Sequence, residues 1–179
     1  MRYAQIRSMD ISNGEGVGVS LFVQGCDRHC FNCFNPDTWD FNGGKEWTEE
    51  TKNKFIKLID RPYINRISVL GGETLAEQNL DEVLSLIKEI RISFPEKTIW
   101  LYTGYKFEDL INGIHYPLDS EWEDKVLRQS IVKLCDVLVD GEYIDEQRDI
   151  TLKWRGSSNQ RVIDAKQSLA QNKIVLYCD

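Results

Sequence analysis

Apolar residues along this chain occur in short β-branched and aromatic runs, each bounded by glycine, asparagine or aspartate. Such runs predict strands, because branched and aromatic side chains pack well on a pleated surface. Four runs are clear, and two near the C-terminus are weaker. The predicted strands are 17–23, 64–70, 98–103 and 137–140, with 160–163 and 174–177 as the weaker pair.

Between these runs, apolar residues recur at helical spacing, which predicts amphipathic helices. Thr48 followed by Glu49 and Glu50 is typical of a helix N-terminus, where a hydroxyl caps free N–H groups and carboxylates suit the helix dipole. Asn79 is predicted to cap a second helix that ends near Pro95. Further helical segments are predicted at 107–111, 121–134 and 165–171.

Strands that alternate with helices favour a parallel sheet joined by crossover helices. A complete eightfold barrel typically needs about 250 residues, and this chain has 179. We therefore predict an α/β fold, a partial, open β/α barrel of five or six mainly parallel strands, as a single domain over residues 1–179. Ligands of such folds gather at the carboxyl ends of the strands.

The composition is that of a soluble globular protein, with 41% hydrophobic and 28% charged residues. No run approaches the roughly 18 apolar residues of a membrane span, and the N-terminal segment lacks the apolar core of a secretory signal. We expect a cytoplasmic protein, since the reducing poise of that compartment suits free thiols. A net charge of −7 argues against a nucleic-acid partner, because such proteins concentrate Lys and Arg.

Three of the five cysteines, Cys26, Cys30 and Cys33, lie within eight residues, just after the first predicted strand. Thiolates select iron–sulfur clusters, zinc or Cu(I). A [4Fe–4S] cluster normally takes four cysteines. Three cysteines would leave one iron with an open coordination position for a substrate or cofactor, as in catalytic zinc sites that have three protein ligands.

A structural zinc site and disulfide bonds are the alternatives for these cysteines. A structural zinc would need a fourth ligand, and none of the candidates has the usual spacing of a second ligand pair. Those candidates are His29, His115, Cys135 and Cys178. Disulfides fit less well, because the number of cysteines is odd, three are crowded together and nothing marks the chain as secreted.

The spacing Cys-x3-Cys-x2-Cys resembles the signature of the radical S-adenosylmethionine superfamily, whose open iron is chelated by the amino and carboxylate groups of that cofactor. The resemblance implies one [4Fe–4S] cluster held by the three cysteines. It also implies that Gly71, Gly72 and Glu73, in the place of a Gly-Gly-Glu-Pro motif, contact S-adenosylmethionine. Thr74 departs from that motif, and a glycine turn that leaves a strand would account for the same residues.

Other candidate cofactor-binding residues follow from the same resemblance. Phe34 stands where an aromatic packs against the adenine, and the backbone near Asn32 commonly contacts that ring. Thr103 and Asp140 stand where related enzymes line the cofactor or hold a monovalent cation, although strand-end capping would also account for them. Three residues of a later segment either bind the cofactor's carboxylate or ribose or stabilise a turn: Arg155, Ser157 and Asn159.

Several segments resemble one family more closely, the activating proteins of the anaerobic (class III) ribonucleotide reductase. They are the glycine-rich run 11–18, the motif 33–35, the pair 38–39, the second predicted strand with the motif 71–73 that follows it, and the segments 100–105, 137–141 and 154–160. The resemblance covers most of the chain, with an apparent insertion at 114–124 and a C-terminal extension after Asp164.

This family resemblance implies an activating enzyme. A reduced cluster passes one electron into S-adenosylmethionine, and the resulting 5′-deoxyadenosyl radical takes a hydrogen from a glycine Cα of the reductase. The implied partners are the reductase catalytic subunit and an electron donor such as flavodoxin. This chemistry needs no acid–base pair, so no catalytic histidine or carboxylate is nominated.

Two alternatives to that function stay open. The first is another small radical enzyme, of the pyruvate formate-lyase activating or deazaguanine synthase type. The second is a non-catalytic zinc or iron–sulfur module.

Overall fold

The structure is a computed structural model that describes residues 1–112 and 122–178. His115 and residues 114–121 of the predicted insertion lie outside the described residues. The strands are β1 (Arg2–Asp10), β2 (Gly18–Val23), β3 (Lys45–Glu46), β4 (Arg66–Gly71), β5 (Thr98–Tyr102), β6 (Val137–Asp140), β7 (Arg161–Asp164) and β8 (Leu176–Cys178). The helices are α1 (Glu49–Ile59), α2 (Leu80–Ser93), α3 (Phe107–Asn112), α4 (Trp122–Leu134) and α5 (Ala165–Gln171).

The strands form one mixed sheet in the order β3-β1-β2-β4-β5-β6-β7-β8. The pairs β2–β4, β4–β5 and β5–β6 are parallel. The other four pairs are antiparallel. The predicted α/β class is confirmed. The open barrel of five or six mainly parallel strands is not, because the described residues form eight strands with more antiparallel than parallel pairs.

The difference arises at the two sides of the sheet. The four clear apolar runs form the parallel strands β2, β4, β5 and β6, as the alternation with helices predicted. The sequence pattern predicts no strand at β1, whose side chains are mostly half-buried or exposed and so lack a strong apolar pattern. β1 pairs with β2 in the antiparallel direction, and β7 and β8 add two antiparallel strands on the other side.

The main core lies between one face of the sheet and the helices. Residues of β2, β4 and β5 pack there against α1, α2, α3 and α4, and α2 alone buries six side chains: Leu80, Val83, Leu84, Leu86, Ile87 and Ile90. Fully burying a side chain of this size contributes about 1.5–3 kcal/mol. A second, smaller cluster covers the opposite face and contains Trp100, Val137, Val139 and Val162. No helix in the described parts of the chain is long and apolar enough to cross a membrane.

The cap geometry tests the predicted helix starts. The Thr48 hydroxyl accepts a hydrogen bond from the backbone N–H of Thr51 at 3.2 Å, which confirms the predicted cap of α1. α2 begins directly after Asn79, as predicted, but the Asn79 side chain does not cap it. Its amide instead donates to the carbonyl oxygens of Gln24 at 3.1 Å and Glu73 at 3.0 Å. Asn79 therefore ties the ends of β2 and β4 together.

Candidate active site

A cavity of about 550 Å³ opens at the carboxyl ends of β2, β4, β5 and β6. This is the edge of the sheet at which ligands of α/β folds gather. From the loop after β2 it is lined by Cys26, Cys30, Cys33 and Phe34. From the ends of β4 and β5 it is lined by Gly71, Gly72, Glu73 and Thr103. Two nominated residues, Asn32 and Asp140, are not among its lining residues.

The cysteine loop is held at its start by backbone hydrogen bonds. Gly25 N–H donates to the carbonyl of Thr38 at 2.8 Å, and Cys26 N–H donates to that of Trp39 at 3.0 Å. Inside the loop, His29 and Asn32 have φ values of 47° and 54°, a left-handed conformation that Asn and His adopt more readily than most residues. These two residues give the loop the tight winding that places three cysteines on one cavity.

All five cysteines are free thiols, and the three of the loop are partly buried. Burial raises the pKa of Cys26 and of Cys30. Because a cysteine ligates metal as the thiolate, metal binding here would release protons. In the described residues, no group of three or more His, Cys, Asp or Glu side chains is placed to hold one metal ion.

The donor set fits an iron–sulfur cluster. Thiolate is the ligand that such clusters require, and each iron of a cluster takes its own cysteine, so the sulfurs need not converge on one point. Two of the candidates for a zinc ligand are engaged elsewhere. His29 packs on Trp39 with ring centroids 4.6 Å apart, and the buried Cys135 thiol donates to the carbonyl of Ile131 at 3.2 Å. Cys135 is a fully buried residue of the core.

Glu73 is a buried carboxylate at the end of β4, 2% exposed, and it accepts four hydrogen bonds. One oxygen accepts from the Thr103 hydroxyl at 2.6 Å and from Leu75 N–H at 3.0 Å. The other accepts from Gly104 N–H and from Arg28 Nε, both at 2.9 Å. The carboxylate thus joins the cysteine loop to the ends of β4 and β5.

Arg28, inside the cysteine loop, was not nominated from the sequence. It pairs with Glu73 and with Glu142, and its guanidinium lies 4.1 Å from the ring centroid of Tyr105. Burial alone would lower the pKa of Arg28, but the Glu73 and Glu142 carboxylates raise it above its usual value. The charge is therefore permanent. A lone arginine between two cysteines carries no local signal of its partners, which are 45 and 114 residues away.

The two glycines after β4 are required by the approach of the strand ends. A Cβ on Gly72 would lie 2.4 Å from the carbonyl oxygen of Gly25, and Gly71 has a φ of +114°. Two backbone hydrogen bonds join the strand ends here: Gly72 N–H donates to the carbonyl of Val23 at 2.9 Å, and Glu73 N–H donates to that of Gly25 at 2.8 Å. A glycine turn that leaves the strand therefore accounts for these residues, and both also line the cavity.

The side chains of Asp140 and Asn32 form hydrogen bonds with other residues of the protein and do not line the cavity. Asp140 is buried at the end of β6, where its carboxylate accepts from Phe107 N–H at 2.8 Å and from Arg161 Nε at 2.9 Å. Asn32 donates from its side chain to Asp145 at 2.9 Å. Their proposed roles at the cofactor therefore remain predictions.

Within the segment 154–160, Ser157 and Asn159 stabilise the local fold, whereas Arg155 lines the cavity. Ser157 is fully buried and its hydroxyl accepts from Ile144 N–H at 3.2 Å, and the Asn159 amide donates to the carbonyl of Glu142 at 2.8 Å. Arg155 lines the cavity, and its buried Nε has no hydrogen-bond partner among the described residues. A buried donor without a partner is unusual, so Arg155 is the member of this segment best placed to meet a ligand.

Phe34 and Tyr102 are two of the aromatic residues that line the cavity. Phe34 is 55% exposed and contacts Tyr143 edge-on, with ring centroids 5.0 Å apart. Tyr102, which was not nominated from the sequence, lines the cavity with a buried hydroxyl that has no partner among the described residues. Burial raises the pKa of Tyr102, so this hydroxyl is neutral and can donate or accept a hydrogen bond.

Comparisons with known proteins agree on one family. Residues 12–163 match the family described as a 4Fe-4S single cluster domain. The anaerobic ribonucleoside-triphosphate reductase-activating proteins of Salmonella typhimurium and Escherichia coli K12 are 38% and 37% identical to this chain over 164 residues, which are 90% of this chain and 97% of each relative. The protein of the same name from Enterobacteria phage T4 is 35% identical over 90% of this chain and 93% of its own length.

Proposed function

The chain belongs to the family of anaerobic ribonucleoside-triphosphate reductase-activating proteins, and from that premise we propose that it is the enzyme that generates a glycyl radical on an anaerobic ribonucleotide reductase. The observation that carries the proposal is the convergence of three free thiols and the glycine turn after β4 on one cavity. The proposal treats residues 1–179 as one radical S-adenosylmethionine domain.

The chain contains a 4Fe-4S single cluster domain. We assign Cys26, Cys30 and Cys33 as the ligands of this cluster. We assign S-adenosylmethionine as the second cofactor. When bound, the cluster would supply the electron that cleaves S-adenosylmethionine to methionine and a 5′-deoxyadenosyl radical. That radical would remove a hydrogen from the reductase glycine. The three thiols support this assignment, because they are free and share a cavity wall.

The residues of the chain would bind the cofactor and orient it. Phe34 offers an exposed ring face for the adenine, and the backbone near Asn32 lies in the same loop. Gly71 and Gly72 present backbone without side chains to the cavity, where the amino group of the cofactor would be held. The remaining assignments to the cofactor site are Glu73 and Thr103, whereas the contacts of Asp140 with Phe107 and Arg161 support a role at the end of β6. The contacts of Glu73 support a role in holding the loop and strand ends together around the cofactor.

The reductase catalytic subunit is the partner that the names of the relatives imply. The reaction consumes one electron per radical formed, and a reduced flavodoxin is the electron donor that the family resemblance suggests. The cytoplasm is the proposed location, since its reducing poise would keep the loop thiols unpaired.

The test is an anaerobic cleavage assay with reductant and S-adenosylmethionine on the reconstituted protein and on Cys30→Ala. We expect 5′-deoxyadenosine from the unmodified protein and none from Cys30→Ala, with little change in the circular dichroism spectrum. Cys178→Ala is the matched control, because Cys178 is a free cysteine in β8 outside the cavity lining. It should keep both its iron and its activity.

Two further measurements separate the alternatives. With the reductase present, a glycyl-radical doublet in the electron paramagnetic resonance spectrum supports this function over other small radical enzymes. Absence of any cleavage product would favour the non-catalytic module. Iron corresponding to two clusters per chain would contradict the assignment of a single cluster.

A further inference from the structure

The C-terminal strand β8 places an aromatic side chain against two tryptophans. Tyr177 of β8 lies edge-on to Trp100 and to Trp154, with ring centroids 5.1 and 6.1 Å apart. The two tryptophans are edge-on to each other at 4.9 Å, and Trp100 is only 1% exposed. Edge-to-face contacts are a favoured arrangement of aromatic rings and add to the stability that burial provides. We call these three side chains the aromatic cluster.

The aromatic cluster supports one part of the cavity wall. Trp154 lines the cavity, and so do the next two residues, Arg155 and Gly156. The backbone of Trp154 has a φ of 60°, a left-handed conformation that is rare for a bulky residue. Such a conformation persists only where the surrounding packing enforces it. The contacts of Trp154 with Trp100 and Tyr177 therefore fix the direction in which the chain enters Arg155.

Tyr177 also contacts the segment that forms a second part of the cavity wall. Its hydroxyl donates a hydrogen bond to the carboxylate of Glu15. Glu15 belongs to the connection between β1 and β2, in which Ser12 and Asn13 line the cavity. The hydrogen bond to Glu15 raises the pKa of Tyr177 to about 12, so the hydroxyl keeps its proton at neutral pH and remains a donor. One side chain of β8 thus joins both segments of the wall.

β8 is an edge strand of three residues near the end of the chain. It pairs with β7, at Cys178 with Val162 and at Leu176 with Ile163. Segments close to a chain end open locally at a low cost in free energy, and the family match to residues 12–163 ends before β8. A role of β8 at the cavity therefore rests on the contacts of Tyr177.

We infer that Tyr177 is a positioning residue, which holds the segments 12–13 and 154–156 in the cavity wall and so sets the affinity for the cofactor. The part of this inference that names S-adenosylmethionine as the cofactor rests on the proposed function. Arg155 connects the wall to the ligand, because its buried Nε has no partner among the described residues and is free to bind one. Without the Tyr177 ring, Trp154 would relax from its left-handed conformation and Arg155 would leave the wall.

The first test uses the cluster-free protein and needs no cofactor. Tyr177→Ala removes the ring and the hydroxyl, whereas Tyr177→Phe removes the hydroxyl alone. Tyr63→Ala is the matched control, because Tyr63 is also partly exposed, 48% against 37% for Tyr177, and lies outside the cavity lining. All three variants should fold, with melting temperatures within a few degrees of the unmodified protein, since both tyrosines lie at the surface.

Hydrogen exchange measured by nuclear magnetic resonance reports on each segment of the wall. The N–H groups of Ser12 and Gly156 donate to side-chain oxygens at 2.7 and 2.9 Å, so their exchange rates measure local opening. Tyr177→Ala should speed exchange at both by about fivefold or more, as expected when aromatic contacts are lost. Tyr177→Phe should speed it at Ser12 alone, because the ring stays in the aromatic cluster. Tyr63→Ala should change neither rate.

The second test measures the affinity of the reconstituted protein for S-adenosylmethionine by calorimetry without oxygen. Tyr177→Ala should raise the dissociation constant about fivefold or more, with unchanged iron content. If Tyr177 acts through Arg155, adding Tyr177→Ala to Arg155→Ala should weaken binding by less than about a further twofold, because residues that act through one contact give non-additive losses. A residue with only a general structural role would give additive losses.

The outcomes distinguish this inference from the proposed function. Unchanged exchange at Ser12 and Gly156 in Tyr177→Ala would overturn the role of Tyr177. Faster exchange throughout β4 and β5 would also overturn it, because the loss would then be one of general stability, and so would additive losses of affinity with Arg155→Ala. If the unmodified protein makes no 5′-deoxyadenosine, the proposed function fails, while exchange in the cluster-free protein still decides whether Tyr177 holds the wall.

Discussion

Arg28 and Glu73 join the cysteine loop to the end of β4 through a hydrogen bond of 2.9 Å from Arg28 Nε to the Glu73 carboxylate. Their side chains are 17% and 1% exposed, so both charges are largely removed from water. Removing one partner of such a pair leaves an uncompensated buried charge. The pair therefore holds the proposed cluster ligands at a fixed place relative to the strand ends.

We predict that Arg28→Gln lowers the free energy of unfolding of the cluster-free protein by about 3 kcal/mol, because the buried Glu73 carboxylate would lose its cationic partner. Equilibrium urea unfolding measures this loss. Lys54→Gln is the control, since Lys54 and Glu50 form an ion pair on the exposed surface of α1, and such pairs contribute little. The two variants losing the same stability would contradict the role given to Arg28.

The glycine turn after β4 allows a second test. We predict that Gly72→Ala costs about 3 kcal/mol, because its Cβ would lie 2.4 Å from the backbone oxygen of Gly25 and the strand ends would have to separate. Gly16→Ala is the comparison: unlike Gly72, Gly16 has a positive φ (+74°), but no atom lies within 4 Å of the added Cβ. It should cost only about 1 kcal/mol of backbone strain. Urea unfolding of the cluster-free proteins compares them, and a smaller loss for Gly72→Ala would refute the steric argument.

The sequence predicted those features whose signal is local. Three cysteines in eight residues and the glycine pair at a strand end are read from spacing alone, and both line the cavity. The four parallel strands follow from apolar runs that alternate with helical patterns. Period and composition within a short window are enough for such elements.

Long-range pairing was not predictable in this way. The partners of Arg28 lie 45 and 114 residues along the chain, and nothing in its neighbours indicates which carboxylate it meets. Asn79 shows the same limit, because it stands at the start of α2 as predicted while its amide binds the backbone of Gln24 and Glu73. The edge strands were missed or ranked weak because a strand with an exposed face lacks a continuous apolar run.

Asp140 is a nominated cofactor residue whose contacts can be tested against that role. We predict that Asp140→Asn lowers the free energy of unfolding by about 2–4 kcal/mol, because the buried carboxylate pairs with Arg161 and accepts from Phe107 N–H. The dissociation constant for S-adenosylmethionine, measured on the folded and reconstituted variant, should change less than about threefold, under 1 kcal/mol. A variant of normal stability that binds the cofactor much more weakly would instead place Asp140 at the cofactor.

The ion pair between Glu108 and Arg161 predicts a pH dependence of stability. Arg161 donates to both Glu108 carboxylate oxygens, at 2.8 and 2.7 Å, and lowers the pKa of Glu108 to about 2, compared with about 4.3 in an unfolded chain. A carboxyl whose folded pKa is depressed stabilises the fold above its unfolded pKa and loses that contribution as the pH falls towards its folded pKa.

The unmodified protein should therefore be more stable than Glu108→Gln at pH 7, and the difference should shrink from about pH 5 downwards. Because the Glu108 side chain is 46% exposed, solvent screening keeps the difference below about 1 kcal/mol, and added salt should reduce it. Urea unfolding of both proteins from pH 7 to 3 measures it, and a difference that stays constant over that range would show that the carboxylate's charge does not stabilise the fold.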